Sequence, residues 1–316
     1  MAKQFASHGD LEEKKISFTG IGEGLFAFTA EGDPNSGVII GDDSVMVVEA
    51  QATPRLARKV IEAVRGVTDK PISHLVLTHY HAVRVLGASA YNAREIIMSE
   101  ISRAQVVERG QEDWDSEFGR FPRLFQGHEE IPGLTWPTTT FRDRMTVWLG
   151  NRRVDIIQPG RAHTAGDAIV WVPDQEVMFT GDIVEYHSAC YCGDGHFADW
   201  GCTLDRIMAY DPASIAPGRG DALLGRDMVS RAVANTRDFV DSTYRAVARI
   251  AAAGGTIEQA AAAVRAECDP KFGDYAIYEH CLPFNVGRAW DEARGIDTPR
   301  IWTAERDRMM WDLLQK

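Results

Sequence analysis

Long apolar runs are missing from this 316-residue chain, and no stretch approaches the roughly 20 residues a membrane-spanning helix needs. A membrane-embedded role is not expected. The N-terminus lacks the apolar core of a signal peptide, so the expected location is cytoplasmic. Positive charge is in deficit: 34 Lys and Arg stand against 46 Asp and Glu, a formal net charge of -12. A broad nucleic-acid-binding face needs clustered Lys and Arg, and none is recognisable here. Cysteine is sparse, with five residues, an odd number that makes a poor disulfide framework in so long a chain. Cys190 and Cys192 form a C-x-C pair near His187 and His196; this cluster reads as free thiols, with a separate structural zinc as the alternative. Internal repeats and low-complexity linkers are also absent. What remains is an ordinary globular composition, 45% hydrophobic, large enough for a sizeable core.

The chain opens as a strand meander: Ile16 to Thr19, Leu25 to Thr29, Val38 to Ile40 and Ser44 to Val48, with a turn at Gly32-Asp-Pro-Asn-Ser-Gly37. Pro54 then opens a helical pattern over Leu56 to Arg65, which Gly66 ends. Ile72 to Thr78 is an apolar run of buried-strand type. A helix is expected around Glu100 to Arg109, followed by an irregular insertion rich in aromatics from Trp114 to Trp136. Strands return at Thr146 to Leu149, Val154 to Ile157, Ala168 to Val172 and Val177 to Thr180. Helices follow near Leu204 to Tyr210, Met228 to Ala253 and Ile257 to Glu267, and the tail carries Trp290, Trp302 and Trp311. The expected organisation is a single domain, 1–316, with a core over about 15–225 and a helical C-terminal extension over 226–316. The long C-terminal helices leave two uses open, a homodimer interface or a lid.

Chemistry concentrates just after the strands. Thr78-His79-Tyr80-His81 follows one apolar run, and His at i and i+2 on extended backbone point the same way, within reach of one ion. His163 follows the strand ending at Ile157, Asp182 ends the strand beginning at Val177, and Arg219 lies in Ala216-Pro-Gly-Arg-Gly220. Groups at the ends of neighbouring strands converge on one rim of a sheet. Taken singly, His163 reads equally as a helix cap and Asp182 as an N-cap; four such elements in this order are hard to explain as four caps.

In this order and strand context the chain resembles the metallo-β-lactamase superfamily, over roughly residues 15–225. The pattern there is H-x-H-x-D-H, a single His, a bridging Asp in a Gly-Asp step, then a His in a P-G-H-G-like turn. The resemblance implies an α/β fold, an αββα sandwich, with His79, His81 and His163 as ligands of a first metal and Asp182 as the shared carboxylate. Where the pattern has its second-site Asp and two His, this sequence has Val83, Arg84 and Arg219. Valine cannot ligate and guanidinium repels a cation, so one divalent ion is expected, zinc first and iron as the alternative. Arg84 and Arg219 have two readings: they supply the missing positive charge, orienting Asp182 or gripping an anionic substrate, or they neutralise Asp182 and Asp167 in a buried network. In the family the stretch after Asp182 borders the pocket, which makes His187 a candidate proton-transfer group and Tyr186 and His196 candidate substrate contacts, alongside Arg219, with one of the three loop residues expected to reach the site and the others to be structural.

The resulting expectation is a mononuclear metal-dependent hydrolase of a small molecule (an ester, lactone, amide or activated ether), with Asp182, Arg84, Arg219 and His187 as catalytic groups. The alternatives are a mononuclear non-haem iron dioxygenase, or a degenerate member that binds a ligand without turnover.

Overall fold

The computed structural model describes residues 4–314. Its first sheet has seven strands in sequence order: β1 (Ile16–Gly22), β2 (Leu25–Ala30), β3 (Ser36–Ile40), β4 (Val45–Val48), β5 (Ile72–Val76), β6 (Glu95–Ser99) and β7 (Thr139–Phe141). The first four pair antiparallel as a meander, and β4 through β7 pair parallel through helical crossovers. The second sheet comprises β8 (Arg144–Leu149), β9 (Arg152–Ile157), β10 (Ile169–Val172), β11 (Val177–Phe179), β12 (Ser214–Ala216) and β13 (Leu223–Leu224). It is antiparallel except between β11 and β12.

The period-two alternation of strands explains how both faces are used. In β4, Met46 and Val48 enter the core between the sheets, while Val45 and Val47 face the helices outside. In β10, Val170 and Val172 enter the same inter-sheet core, and Ile169 and Trp171 face the opposite helical layer. Strands buried on both faces read as continuous apolar runs, as the sequence does here. Gly37 marks how close the sheets come: a β-carbon there would collide with the Phe179 ring of the facing sheet.

Helices cover both outer faces. Beside the first sheet lie α1 (Pro54–Arg65), α2 (Ala82–Val85) and α3 (Glu100–Arg120). Thr53 caps α1 by accepting from the Leu56 amide, with Pro54 in the first turn, and Ala57, Val60 and Val64 face inward. Beside the second sheet lie α4 (Phe197–Met208), α5 (Arg226–Ala252), α6 (Ile257–Phe272) and α7 (Tyr278–Ala293), with α8 (Ala304–Leu314) packing on α7 and α3. The architecture is the expected αββα sandwich with added C-terminal helices.

One element departs from expectation. The helix expected to end near Arg109 runs on to Arg120, so Trp114 and Phe118 of the aromatic stretch lie on α3 rather than in a loop. Its inward face explains the miss: Gln105, Arg109, Asp113, Glu117 and Arg120 are buried at helical spacing, a polar stripe where an apolar one would have signalled a helix. No described helix is long and apolar enough to cross a membrane.

Candidate metal centre

Loops after β5, β9, β11 and β12 bring the functional side chains together. The Thr78 amide is held by the Glu49 carboxylate at 2.8 Å, and the Thr78 carbonyl accepts from the Ala168 amide. This pins the short segment that carries His79 and His81. His81 sits at the N-cap position of α2 with extended backbone, and the acids of α3 fix that turn. Asp113 accepts from the Ala82 amide and Glu117 from the Val83 amide, both at 2.7 Å. His163 lies in a turn closed by Asp167, whose carboxylate accepts from the Thr164 amide and hydroxyl. Asp182 follows Gly181, whose φ of 51° is left-handed and whose missing β-carbon leaves room for Thr78.

The three imidazoles are almost fully buried, with ring centroids 4.6–4.8 Å apart. One nitrogen from each lies within 4.8 Å of the other two, the one metal-capable cluster among the described residues. Hydrogen bonds at the outer nitrogens decide which atoms face inward. His163 donates from Nδ1 to the Tyr191 carbonyl at 2.8 Å, leaving Nε2 as a lone pair. That Nε2 lies 2.9 Å from His81 Nδ1, and His81 Nε2 lies 3.3 Å from the Asp194 carboxylate. The Thr78 hydroxyl is 2.9 Å from His79 Nδ1, while His79 Nε2 is buried with no partner among the described residues. An orphaned buried nitrogen beside two inward-facing ones is costly unless something binds there. A divalent cation suits that donor set, and a carboxylate–imidazole pair such as Asp194–His81 is how metal-binding histidines are commonly oriented.

Asp182 lies at the edge of this cluster, its Oδ2 3.6 Å from His163 Nε2 and 3.9 Å from His79 Nε2. Two buried guanidiniums hold it. Arg84 Nη2 contacts Oδ1, and Arg219 Nη1 donates to Oδ2 at 3.1 Å and reaches Glu185 at 3.4 Å. Burial would raise the Asp182 carboxyl, but Arg84 and then Arg219 outweigh it and hold it well below the usual carboxylate range. Neither arginine has an ion pair with Asp167, which is satisfied within its own turn. Val83 is buried and lines the cavity beside the histidines.

That cavity is about 10 Å³, room for roughly one water molecule. His81, His163, Asp182 and Arg219 line it together with Glu117, Arg120 and Phe121 of α3 and its C-terminus, Tyr191, and Ile277, His280 and Cys281 at the start of α7. The start of α7 thus covers the centre. Three of the candidate contacts do not reach it. His187 is exposed, its ring packed between Tyr186 and Tyr275; Tyr186 is half-buried against the second-sheet core. His196 is the N-cap residue of α4, with Arg161 and Arg288 as neighbouring charges. A long loop crossing the rim brings only some of its residues inward, and here these are Tyr191 and Asp194. Cys190 and Cys192 are buried in the apolar core, where burial pushes both thiols well up, away from the thiolate a zinc site needs.

The centre stores charge in a way that pH will expose. Burial pushes Glu185 up to about 8, with Asp182 adding to the shift, and burial likewise pushes Glu49 and Asp167 up to about 7. Burial acts to lower His81, but Asp113 and the Asp194 hydrogen bond outweigh it, raising His81 to about 9. Each of these groups keeps its proton to higher pH when folded than when unfolded. Above the ordinary histidine value of about 6.5, the folded chain therefore binds more protons, and stability falls as pH rises. Burial lowers His79 and His163, so both favour the unfolded state toward acid and leave this window untouched. Chelator-treated protein should lose melting temperature steadily from pH 6.5 to 9; a rise across that range would contradict these assignments.

Comparison with known proteins places this geometry in a family context. The model of the metallo-β-lactamase superfamily matches residues 29–219. The type 2 metallo-β-lactamase of Bacillus cereus is 24% identical over 200 residues, 61% of this chain and 70% of that protein. A linear primary-alkylsulfatase from a Pseudomonas strain is 23% identical over 248 residues, 66% of this chain and only 46% of that protein. Among solved structures, a metallo-β-lactamase from Pontibacter korlensis superposes with a TM-score of 0.57 at 15% identity, covering 72% of this chain and 99% of that one.

Proposed function

The chain belongs to the metallo-β-lactamase superfamily, and from that premise we propose that it is a mononuclear, zinc-dependent hydrolase of a small-molecule ester, lactone, amide or activated ether. The observation that carries this reading is the buried triad, with His79 Nε2 unpartnered and His81 and His163 each oriented from behind. His79, His81 and His163 would hold the ion, with Asp182 at its edge. A bound divalent ion supplies Lewis acidity and makes a water acidic enough to attack near neutral pH.

The remaining chemistry belongs to the chain's own residues. Asp182, kept ionised by two guanidiniums, accepts a hydrogen bond from the attacking water and orients it toward the substrate. Arg219 has its Nε free of hydrogen-bond partners among the described residues, so it can donate to the oxygen on which negative charge develops. Thr78, Asp194 and the Tyr191 carbonyl keep the imidazoles from rotating. The closed, largely dry surroundings strengthen each of these interactions. A single metal is favoured because Arg84 and Arg219 occupy the far side of Asp182 with fixed positive charge.

Zinc-loaded protein, screened with p-nitrophenyl acetate, a simple lactone, a chromogenic β-lactam and an alkyl sulfate, should hydrolyse at least one. That activity should vanish on chelation and in His163→Ala. Absence of hydrolysis throughout the panel, with oxygen uptake by iron-loaded protein instead, would move the assignment to an oxygenase.

A further inference from the structure

The cavity at the metal centre has room for about one water, so no ester or lactone reaches the histidines unless its wall opens. Among the described residues that line it, every one is buried except Ile277, which reaches the surface. On the outer side of Ile277 lies a groove of about 510 Å³, between the N-terminal segment 4–10 and the turn that joins α6 to α7. Ile277 and His280 line both spaces and so form the partition between them.

The partition is strained at one residue and lightly fastened at the other. Ile277 is β-branched at a left-handed φ of 54°, an outlier for such a side chain. The backbone before it is fixed, since Ala276 donates to the His187 carbonyl at 3.1 Å and accepts from the Ala189 amide at 2.9 Å. Strain of this kind persists where the surroundings over-determine it, and it gathers at clamps and switches. His280 stacks on Phe121, with ring centroids 4.1 Å apart, and the Ser7 hydroxyl latches it from outside, 2.8 Å from Nδ1. The segment carrying Ser7 is tied to the end of α3 by two contacts, the Ser7 amide to the Arg120 carbonyl at 3.1 Å and His8 to the Gly119 carbonyl. A segment held by so few bonds opens locally at far less cost than the fold as a whole.

The walls of the groove specify what it takes. Tyr275, Tyr278 and Trp311 give it aromatic sides, and no lysine or arginine lines it. Its two carboxylates are already paired, Asp10 with Lys14 and Arg123 and Glu279 with Arg265. An apolar concavity with no unbalanced charge suits an uncharged, aromatic or aliphatic group.

We propose that this groove is the vestibule in which an uncharged apolar substrate docks, and that Ile277 and His280, latched by Ser7, are the gate through which it passes to the metal centre. The proposal rests on the hydrolase reading for the word substrate; the gate does not depend on it.

Cys281 supplies a probe that needs neither metal nor turnover, because it is a fully buried free thiol lining the cavity behind the gate. Exposed Cys202 and Cys268, buried against Thr243 of α5, serve as references for free access and for global unfolding. Full-length protein as purified is treated with benzyl methanethiosulfonate, which turns a thiol into a mixed disulfide, and each cysteine is followed by peptide mass spectrometry. Cys281 should react well ahead of Cys268. Ile277→Gly, which suits a positive φ and removes the blocking side chain, should speed Cys281 about tenfold, with Cys202 and Cys268 unchanged. Ser7→Ala removes only the latch and should speed it a few-fold, which decides the matter if the glycine variant does not fold. The anionic 2-sulfonatoethyl reagent, scaled to its rate at Cys202, should label Cys281 at least about fivefold more slowly than the benzyl reagent, because its charge must leave water in the vestibule. Reaction of Cys281 only in step with Cys268, unchanged Cys281 rates in both variants, or equal scaled rates for the two reagents would overturn the proposal. Fast, gated labelling of Cys281 without hydrolysis of any substrate would leave the gate standing and remove only the hydrolase assignment.

Discussion

Replacing Arg84 by methionine should cost the protein about 3–5 kcal/mol, the usual penalty for stranding a buried charge, and lower its melting temperature by on the order of 10 °C. Arg84 is fully buried; its Nη1 donates to the Asn35 carbonyl at 3.2 Å and its Nη2 meets Asp182. Methionine fills similar space but leaves Asp182 Oδ1 facing apolar neighbours, and it removes the cation that works against the burial-driven rise of Glu49. Arg219 alone would then have to balance Asp182, and Glu185 as well once the pH rises past about 8. Adding Asp182→Asn to Arg84→Met should recover part of the loss, because the two changes act on one ion pair. Thermal melts of the two singles and the double check this. A single variant that melts within about 2 °C of wild type would show that the pair is not holding the centre together.

The parts of the fold that were legible share one property: their burial is apolar and periodic. The strands from Ile16 to Val48 and the run Ile72 to Val76 follow directly from alternation, β-branched content and turn residues. The residues that the structure gathers at the candidate centre were legible for a different reason. His79, His81, His163 and Asp182 each stand just after such a strand, so locating the strands located the rim. What escaped was burial achieved by charge. The inward face of α3 carries Arg109, Asp113, Glu117 and Arg120, which pair with groups more than 30 positions away, and no periodicity of apolar residues announces it. Asp194 likewise earns its place through His81, 113 positions distant. From the loop after Asp182, one of Tyr186, His187 and His196 is the residue expected in the pocket. The exposed His187 adopts a left-handed φ of 48°, and the chain turns so that Tyr191 and Asp194 face inward instead. Direction along an irregular loop is set by tertiary hydrogen bonds, such as that between the Cys192 amide and Asn285, which a local pattern does not encode.

Nitrogen geometry at the triad makes the strongest claim, and its support from behind makes the sharpest variant. Asp194 is the group that fixes His81: it sits 3.3 Å from Nε2, is itself held by Arg109 at 3.2 Å, and lies at about 2, where burial is outweighed by the His81 hydrogen bond and charge. Asparagine keeps the shape and loses the charge, which in comparable carboxylate–imidazole pairs weakens metal binding about 10–100-fold. Asp194→Asn should therefore fold and still bind metal, but release it to a competing chelator at 10–100-fold lower chelator concentration. His81→Ala, which removes a ligand, should retain none. The most direct measurement is elemental mass spectrometry of wild-type protein after zinc loading and gel filtration, beside those two variants. The proposed mononuclear centre predicts close to one zinc per chain in the wild type. Two per chain would contradict the assignment of Arg84 and Arg219 as occupants of the second position, and none would contradict the metal centre itself.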